Sequence, residues 1–300
     1  MTPIDYRHRL LRRLALVCTL LMLATIGLSA YMRLSQAGIG CADWPACYGA
    51  RLGEPPSADR GVVMARLAHR VVAAAALLLV MVMVMLSVAQ RPRLVREGWL
   101  SLALLLLALA LAGLGIVTPG ARVPAVAMGN LLGGFAMLAL CWRLASPAPA
   151  PGLGRWALAG LLLVAVQVAL GALVSASYSA LSCSGLVDCS QAAQVTGWDW
   201  RVLNPWRVPG ADTPLPLHRA GAPAPWAHRV LALGVLATLA GVALLAWRRG
   251  RRAEGLALIV LVLLQAVLGP LQVAAGFPLL LVLAHNLTAA ALLAVLARLV

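Results

Sequence analysis

Apolar residues in this chain fall in long blocks rather than alternating with polar ones. Eight blocks stand out, over 14–32, 61–88, 98–118, 123–145, 155–177, 225–247, 255–275 and 279–297. A helix needs about 20 apolar residues to cross the hydrocarbon core of a bilayer. Each block approaches or exceeds that length. Backbone groups inside lipid must be satisfied internally, and these runs are too long and too uniformly apolar for barrel strands. The pattern therefore predicts an all-α polytopic membrane protein with eight transmembrane helices. The first block is longer than the apolar stretch of about 7–15 residues found in a signal peptide, so it reads as a retained first helix.

Composition agrees and removes alternatives. Of 300 residues, 62% are hydrophobic and 11% are charged. A soluble domain carries about 25% charged residues, and disorder needs low hydrophobicity. The net charge of +15 does not point to nucleic acid. Every basic residue is Arg, and most stand at block ends, where they orient helices in a membrane. Arg7, Arg9, Arg12 and Arg13 precede the first block. Arg91, Arg93 and Arg96 separate the second and third. Arg143 and Arg155 flank the Ala/Pro-rich linker at 147–152. Arg248, Arg249, Arg251 and Arg252 separate the sixth and seventh, and Arg298 follows the last. Alternating spans put all of these on one side. The expectation is a bacterial-type inner (plasma) membrane protein with both termini cytoplasmic. The two long loops, 33–60 and 178–224, are then external, together with Asp43, Glu54, Asp59, Asp188, Asp199 and Asp212.

The chain repeats itself, which bears on architecture before function. Each external loop carries Cys-x5-Cys, as Cys41/Cys47 and Cys183/Cys189. The next span in each half opens with Ala-His-Arg-Val, at 68–71 and 227–230. Gly129-Asn130-Leu131 aligns with His285-Asn286-Leu287. The expected fold is two pseudo-symmetric four-helix bundles, 1–150 and 151–300, of parallel topology.

Of the five His, His8 lies in the inner tail and His218 in the second external loop. His69, His228 and His285 lie within spans, each near the external end. Ionisable groups at membrane depth are functional by default. A neutral His bonded to backbone is the plain alternative for any one of them. His228 and His285, on two helices of one bundle, fit the axial ligands of a heme. Zinc fits less well, because it takes about four ligands and the His-bearing blocks contain no carboxylate. Arg70 and Arg229 follow two of the His residues. Consecutive residues point about 100° apart on a helix, so these Arg turn away from the iron position. They reach heme propionates or snorkel to the interface. Each Cys pair closes a small ring worth about 2–3 kcal/mol as a disulfide; bracing and redox activity both remain open. Cys18 and Cys141 read as packing residues. Gly38 and Gly40 suggest a tight loop, and Gly129, Gly133, Gly134 and Gly171 suit close helix approach.

These residues resemble the heme A synthases, over essentially the full chain. The resemblance is carried by the Gly38–Cys47 loop (Gly-Ile-Gly-Cys-Ala-Asp-Trp-Pro-Ala-Cys) and by His69-Arg70 and His228-Arg229. The Gln-x2-Leu-Gly segments at 167–171 and 265–269 and His285-Asn286-Leu287 add to it. It implies a C-terminal half holding heme B through His228 and His285. It implies an N-terminal half receiving heme O as substrate, with His69 as a ligand; by their charge, Arg66 and Arg70 in that half and Arg229 beside His228 in the other suit propionates. The implied reaction oxidises a heme methyl group to a formyl group, with water supplying the oxygen and electrons leaving through heme B. The expected partners are the lipid bilayer and heme O; a heme O synthase delivering it, a quinone as electron acceptor and a homo-oligomer are each compatible and are left open by the sequence. Two positions depart from the family pattern. Where a second His is expected in helix 4, Met128-Gly129-Asn130-Leu131 stands, leaving Asn130 as the nearest polar group. Where an acid often precedes the helix 2 His by three residues, Arg66 stands. A non-catalytic heme-binding relative, serving electron transfer or heme delivery, is the alternative. An unrelated carrier fits poorly, because carriers show interrupted helices and midplane polar sites.

Overall fold

A computed structural model of the chain describes residues 3–39, 41, 43–49, 59–118, 122–147, 153–183, 185, 186, 188, 189, 197–210, 215 and 219–300. Gly40, Ala42, Glu54, Asp212, His218 and most of the 147–152 linker lie outside the described residues. Among the described residues there is no strand. Eight helices are long and apolar enough to cross a membrane: α1 (Pro3–Gln36), α2 (Arg60–Val84), α3 (Val95–Val117), α4 (Pro124–Ala145), α5 (Gly154–Ala176), α6 (Pro223–Arg248), α7 (Arg252–Ala274) and α8 (Leu279–Leu299). The protein is a multi-pass helical membrane protein.

Seven helices begin and end within a few residues of their apolar blocks. α1 differs, starting at Pro3 and running through the arginines that the sequence places in a tail. Its buried face explains why. Leu11, Ala15, Cys18, Met22, Ile26, Ala30 and Leu34 recur every three or four residues and are all buried, the period of one helix face. Arg7 extends that face, with only 6% of its surface exposed. α2 ends in a π-helical turn, Met85–Ala89, and its last carbonyls lack partners within the helix. Arg7 takes one of them and a carbonyl of the connection that follows: Nε donates to the Leu86 carbonyl at 3.2 Å and Nη1 to that of Pro92 at 2.9 Å.

The helix pairing is close to unchanged when each helix is renumbered by four. α1–α2–α3–α4 close a ring, and so do α5–α6–α7–α8. Between the rings, α4 packs on α8, α4 on α5, and α8 on α1. Two four-helix bundles related by a two-fold axis between α4 and α8 would give this pairing. A single apolar core runs through both bundles, from Leu104, Phe135 and Leu138 to Leu239, Leu258 and Leu296.

A separate apolar cluster lies at the cysteine-loop end. Leu34, Ala37, Ile39 and Tyr48, from α1 and the first loop, pack with Ala180, Tyr178, Phe277 and Leu283 of the second half. Tyr178 and Phe277 hold φ of 58° and 60°, uncommon for bulky residues, and both turn an aromatic ring into this cluster. At the opposite end, Glu254 bridges Arg251 at 2.9 Å and Arg298 at 3.3 Å, tying α7 to α8. Arg143 Nη1 donates to the Ala297 carbonyl at 2.7 Å, joining α4 to α8.

Candidate paired-histidine site

α6 and α8 place His228 and His285 beside each other, with ring centres 6.5 Å apart and planes inclined at 71°. Two imidazoles bound to opposite faces of one metal have ring centres about 6 Å apart, given metal–nitrogen bonds of about 2 Å. The spacing fits one iron. Other features point the same way. His285 Nδ1 and Gln167 Oε1 are buried without hydrogen-bond partners among the described residues, and a native orphaned polar atom calls for an explanation. Glycines line both rings: a Cβ would stand 2.9 Å from His228 Cε1 at Gly171 and 3.6 Å from His285 Cε1 at Gly269. The donor set suits heme rather than zinc. Among the described residues, no three His, Cys, Asp or Glu converge on a metal position.

Two glutamines complete the site. Gln167 on α5 donates to the main-chain carbonyl of His228 at 2.9 Å, and Gln265 on α7 to that of His285 at 2.8 Å. The twin Gln-x2-Leu-Gly segments signal this in sequence, but no role for the glutamines follows from spacing alone. At Gly171 the close approach of α6 to α5 is made by the His228 imidazole.

The Cys183–Cys189 disulfide lies beside this site, paired as the repeat suggests. Arg229 Nη1 donates to the Gly185 carbonyl at 2.7 Å and the Leu186 carbonyl at 3.0 Å, and lies 3.3 Å from Cys189 Sγ. The guanidinium thus latches the disulfide loop to the end of α6. Trp198 packs on the same disulfide and meets Trp200 and Trp226 at 5.2 and 5.1 Å. Below it, Asp199 accepts from Arg201 Nε at 3.0 Å and Arg207 Nη1 at 2.6 Å. Burial opposes ionisation of this carboxyl, but the two arginines outweigh it and hold its pKa at about 2.

The first half is organised differently. His69 is half-buried on α2, Arg66 is half-buried one turn earlier and Arg70 is exposed. Asn130 on α4 is exposed, and no hydrogen bond or ring contact among the described residues joins it to His69. Cys41 and Cys47 are paired. Cys18 and Cys141 are buried in α1 and α4 with their sulfurs 3.4 Å apart.

Fold and site together define a class: an eight-span helical membrane protein, internally duplicated, whose second half encloses a histidine pair. The chain belongs to the COX15-CtaA family, described as cytochrome oxidase assembly protein, whose sequence profile matches residues 62–297. It is also similar to the heme A synthase of Shewanella oneidensis, at 30% identity over 315 residues, covering 94% of this chain and 92% of that protein.

Proposed function

We propose that this protein is a heme A synthase, oxidising a methyl group of heme O to the formyl group of heme A. The observation that carries the reading is the His228–His285 pair at iron-ligating separation, in a chain whose relative bears that name. Conversion of –CH3 and water to –CHO releases four electrons and four protons, so the protein must pass electrons to an acceptor. A heme B held by His228 and His285 supplies reversible one-electron chemistry, and a quinone is a suitable terminal acceptor. The residues 151–300 form the electron-handling half on this reading.

The half formed by 1–150 receives heme O. His69 holds the substrate iron from one face. Arg66, on the same helix face one turn away, and Arg70, at the rim, hold propionates through charge-assisted bonds. Asn130 is the polar group offered by α4. Arg229 divides its donors between the disulfide loop and a propionate of the second heme. Arg placement supports an inner-membrane orientation with both termini cytoplasmic and the cysteine loops external, and heme O arrives from a heme O synthase in the same membrane.

The test is extraction of hemes from membranes carrying a heme O synthase with and without this protein. Heme A or its alcohol precursor is expected to accumulate, and His69→Ala is expected to abolish it while leaving a low-spin heme B spectrum in place. Hemes B and O alone, with the protein demonstrably present, overturn the reading. That result favours a second one, a non-catalytic heme-binding relative, for which Gly129 opposite His285 and the exposure of Asn130 speak.

A further inference from the structure

His228 and His285 share a backbone restraint but not a ring restraint. Each backbone carbonyl accepts from a glutamine amide on the preceding helix. Inside a membrane such an amide has no water to turn to, so each bond fixes one helix against its neighbour. The rings then differ. Gly171 lies one turn beyond Gln167 on the same face of α5. A Cβ at Gly171 would stand 2.9 Å from His228 Cε1, a separation real Cβ atoms do not show. The bare glycine lets the ring come down onto α5, where Nδ1 lies 3.1 Å from the main-chain carbonyl of Gln167. An Nδ1–H given to that carbonyl selects the tautomer that frees Nε2 for a metal and makes the ring a stronger donor. The Gln167 side-chain nitrogen, spent on the His228 carbonyl, lies 3.1 Å from Nδ1 and 3.4 Å from Nε2; as a donor it packs against the ring and adds no bond to an Nδ1–H. At His285 the corresponding glycine, Gly269, leaves 3.6 Å, ordinary van der Waals contact. His285 Nδ1 is buried with no partner among the described residues.

We infer that the two ligands are unequal: Gln167 and Gly171 make His228 the fixed ligand, and His285 is the exchangeable one, the face of the iron that small neutral or anionic donors reach. The inference rests on the heme reading of this site. Gln167 and Gly171 are positioning residues, acting through the orientation of His228.

The experiment uses the full-length protein purified with its heme, with imidazole and carbon monoxide as probes. His285→Gly is expected to keep its heme in a five-coordinate, high-spin form and to regain a low-spin spectrum when imidazole is added. His228→Gly is expected to retain about tenfold less heme per protein, a ratio equivalent to about 1.4 kcal/mol. Two glycine variants test the same point with both ligands in place. Gly171→Ala should change the low-spin electron paramagnetic resonance signal and speed displacement by carbon monoxide in the reduced state, while Gly269→Ala should leave both as in the wild type. Equal heme retention in the two histidine variants, or equal effects in the two glycine variants, overturns the inference while the heme site stands. Wild-type protein that carries no heme when expressed with ample heme overturns both.

Discussion

At Gly38 the backbone takes φ of +95°, and a Cβ there would lie 2.6 Å from the Cys47 carbonyl oxygen. Glycine alone meets both demands, so Gly38→Ala should destabilise the first cysteine loop by about 1 kcal/mol or more. Faster alkylation of Cys41 and Cys47 under mild reductant checks this. The glycine and the turn are visible in the sequence; the facing carbonyl is not, because it depends on how the loop closes. The glutamines teach the same lesson, since the carbonyl a long side chain reaches is set by helix pairing. Asp199 is a third residue of this kind. Its folded pKa of about 2 lies below the ordinary 3.8, so the carboxylate is the form favoured by folding. Its contribution is therefore complete above about pH 4 and fades as pH falls through 2. Fluorescence of the Trp198–Trp200–Trp226 cluster should report loop loosening over that window, and Asp199→Asn should abolish the dependence.

For whole elements, hydrophobic run length is a strong signal, because lipid permits no backbone conformation but helix over such stretches. It fails at α1 for a physical reason. Arginines ordinarily mark the end of a span, and only the contact of Arg7 with the α2 terminus reveals that the helix continues to Pro3. Arg7→Gln should leave the Leu86 and Pro92 carbonyls poorly satisfied, costing about 1–3 kcal/mol, seen as a lower melting temperature in detergent. The second disulfide loop makes a comparable case. Its attachment to α6 depends on Arg229, so Arg229→Gln should increase its proteolysis under reducing conditions, whereas Arg229→Lys should protect it in part.

For the whole molecule, the internal repeat in sequence and the four-step pairing rule in space are the same fact. Matched His-Arg and Cys-x5-Cys motifs make the duplication and the His228–His285 pair legible. The first-half site is less legible, since Gly129 stands where its twin carries His285 and no side chain marks what faces His69. If the arginines orient the helices, an enzyme reporter that works only outside should be active when inserted after Trp206. It should be silent when inserted after Pro151 or joined to Val300; activity at the latter two positions overturns the proposed sidedness. The cluster that unites Tyr48 with Phe277 and Leu283 also imposes a timetable. At the usual synthesis rate of about 5–20 residues per second, Tyr48 emerges on the order of tens of seconds before its α8 partners exist. The first cysteine loop must wait, its aromatic rings uncovered, until α8 is in place. The first half can thus fold its helices early but cannot seat its own loop until α8 is made.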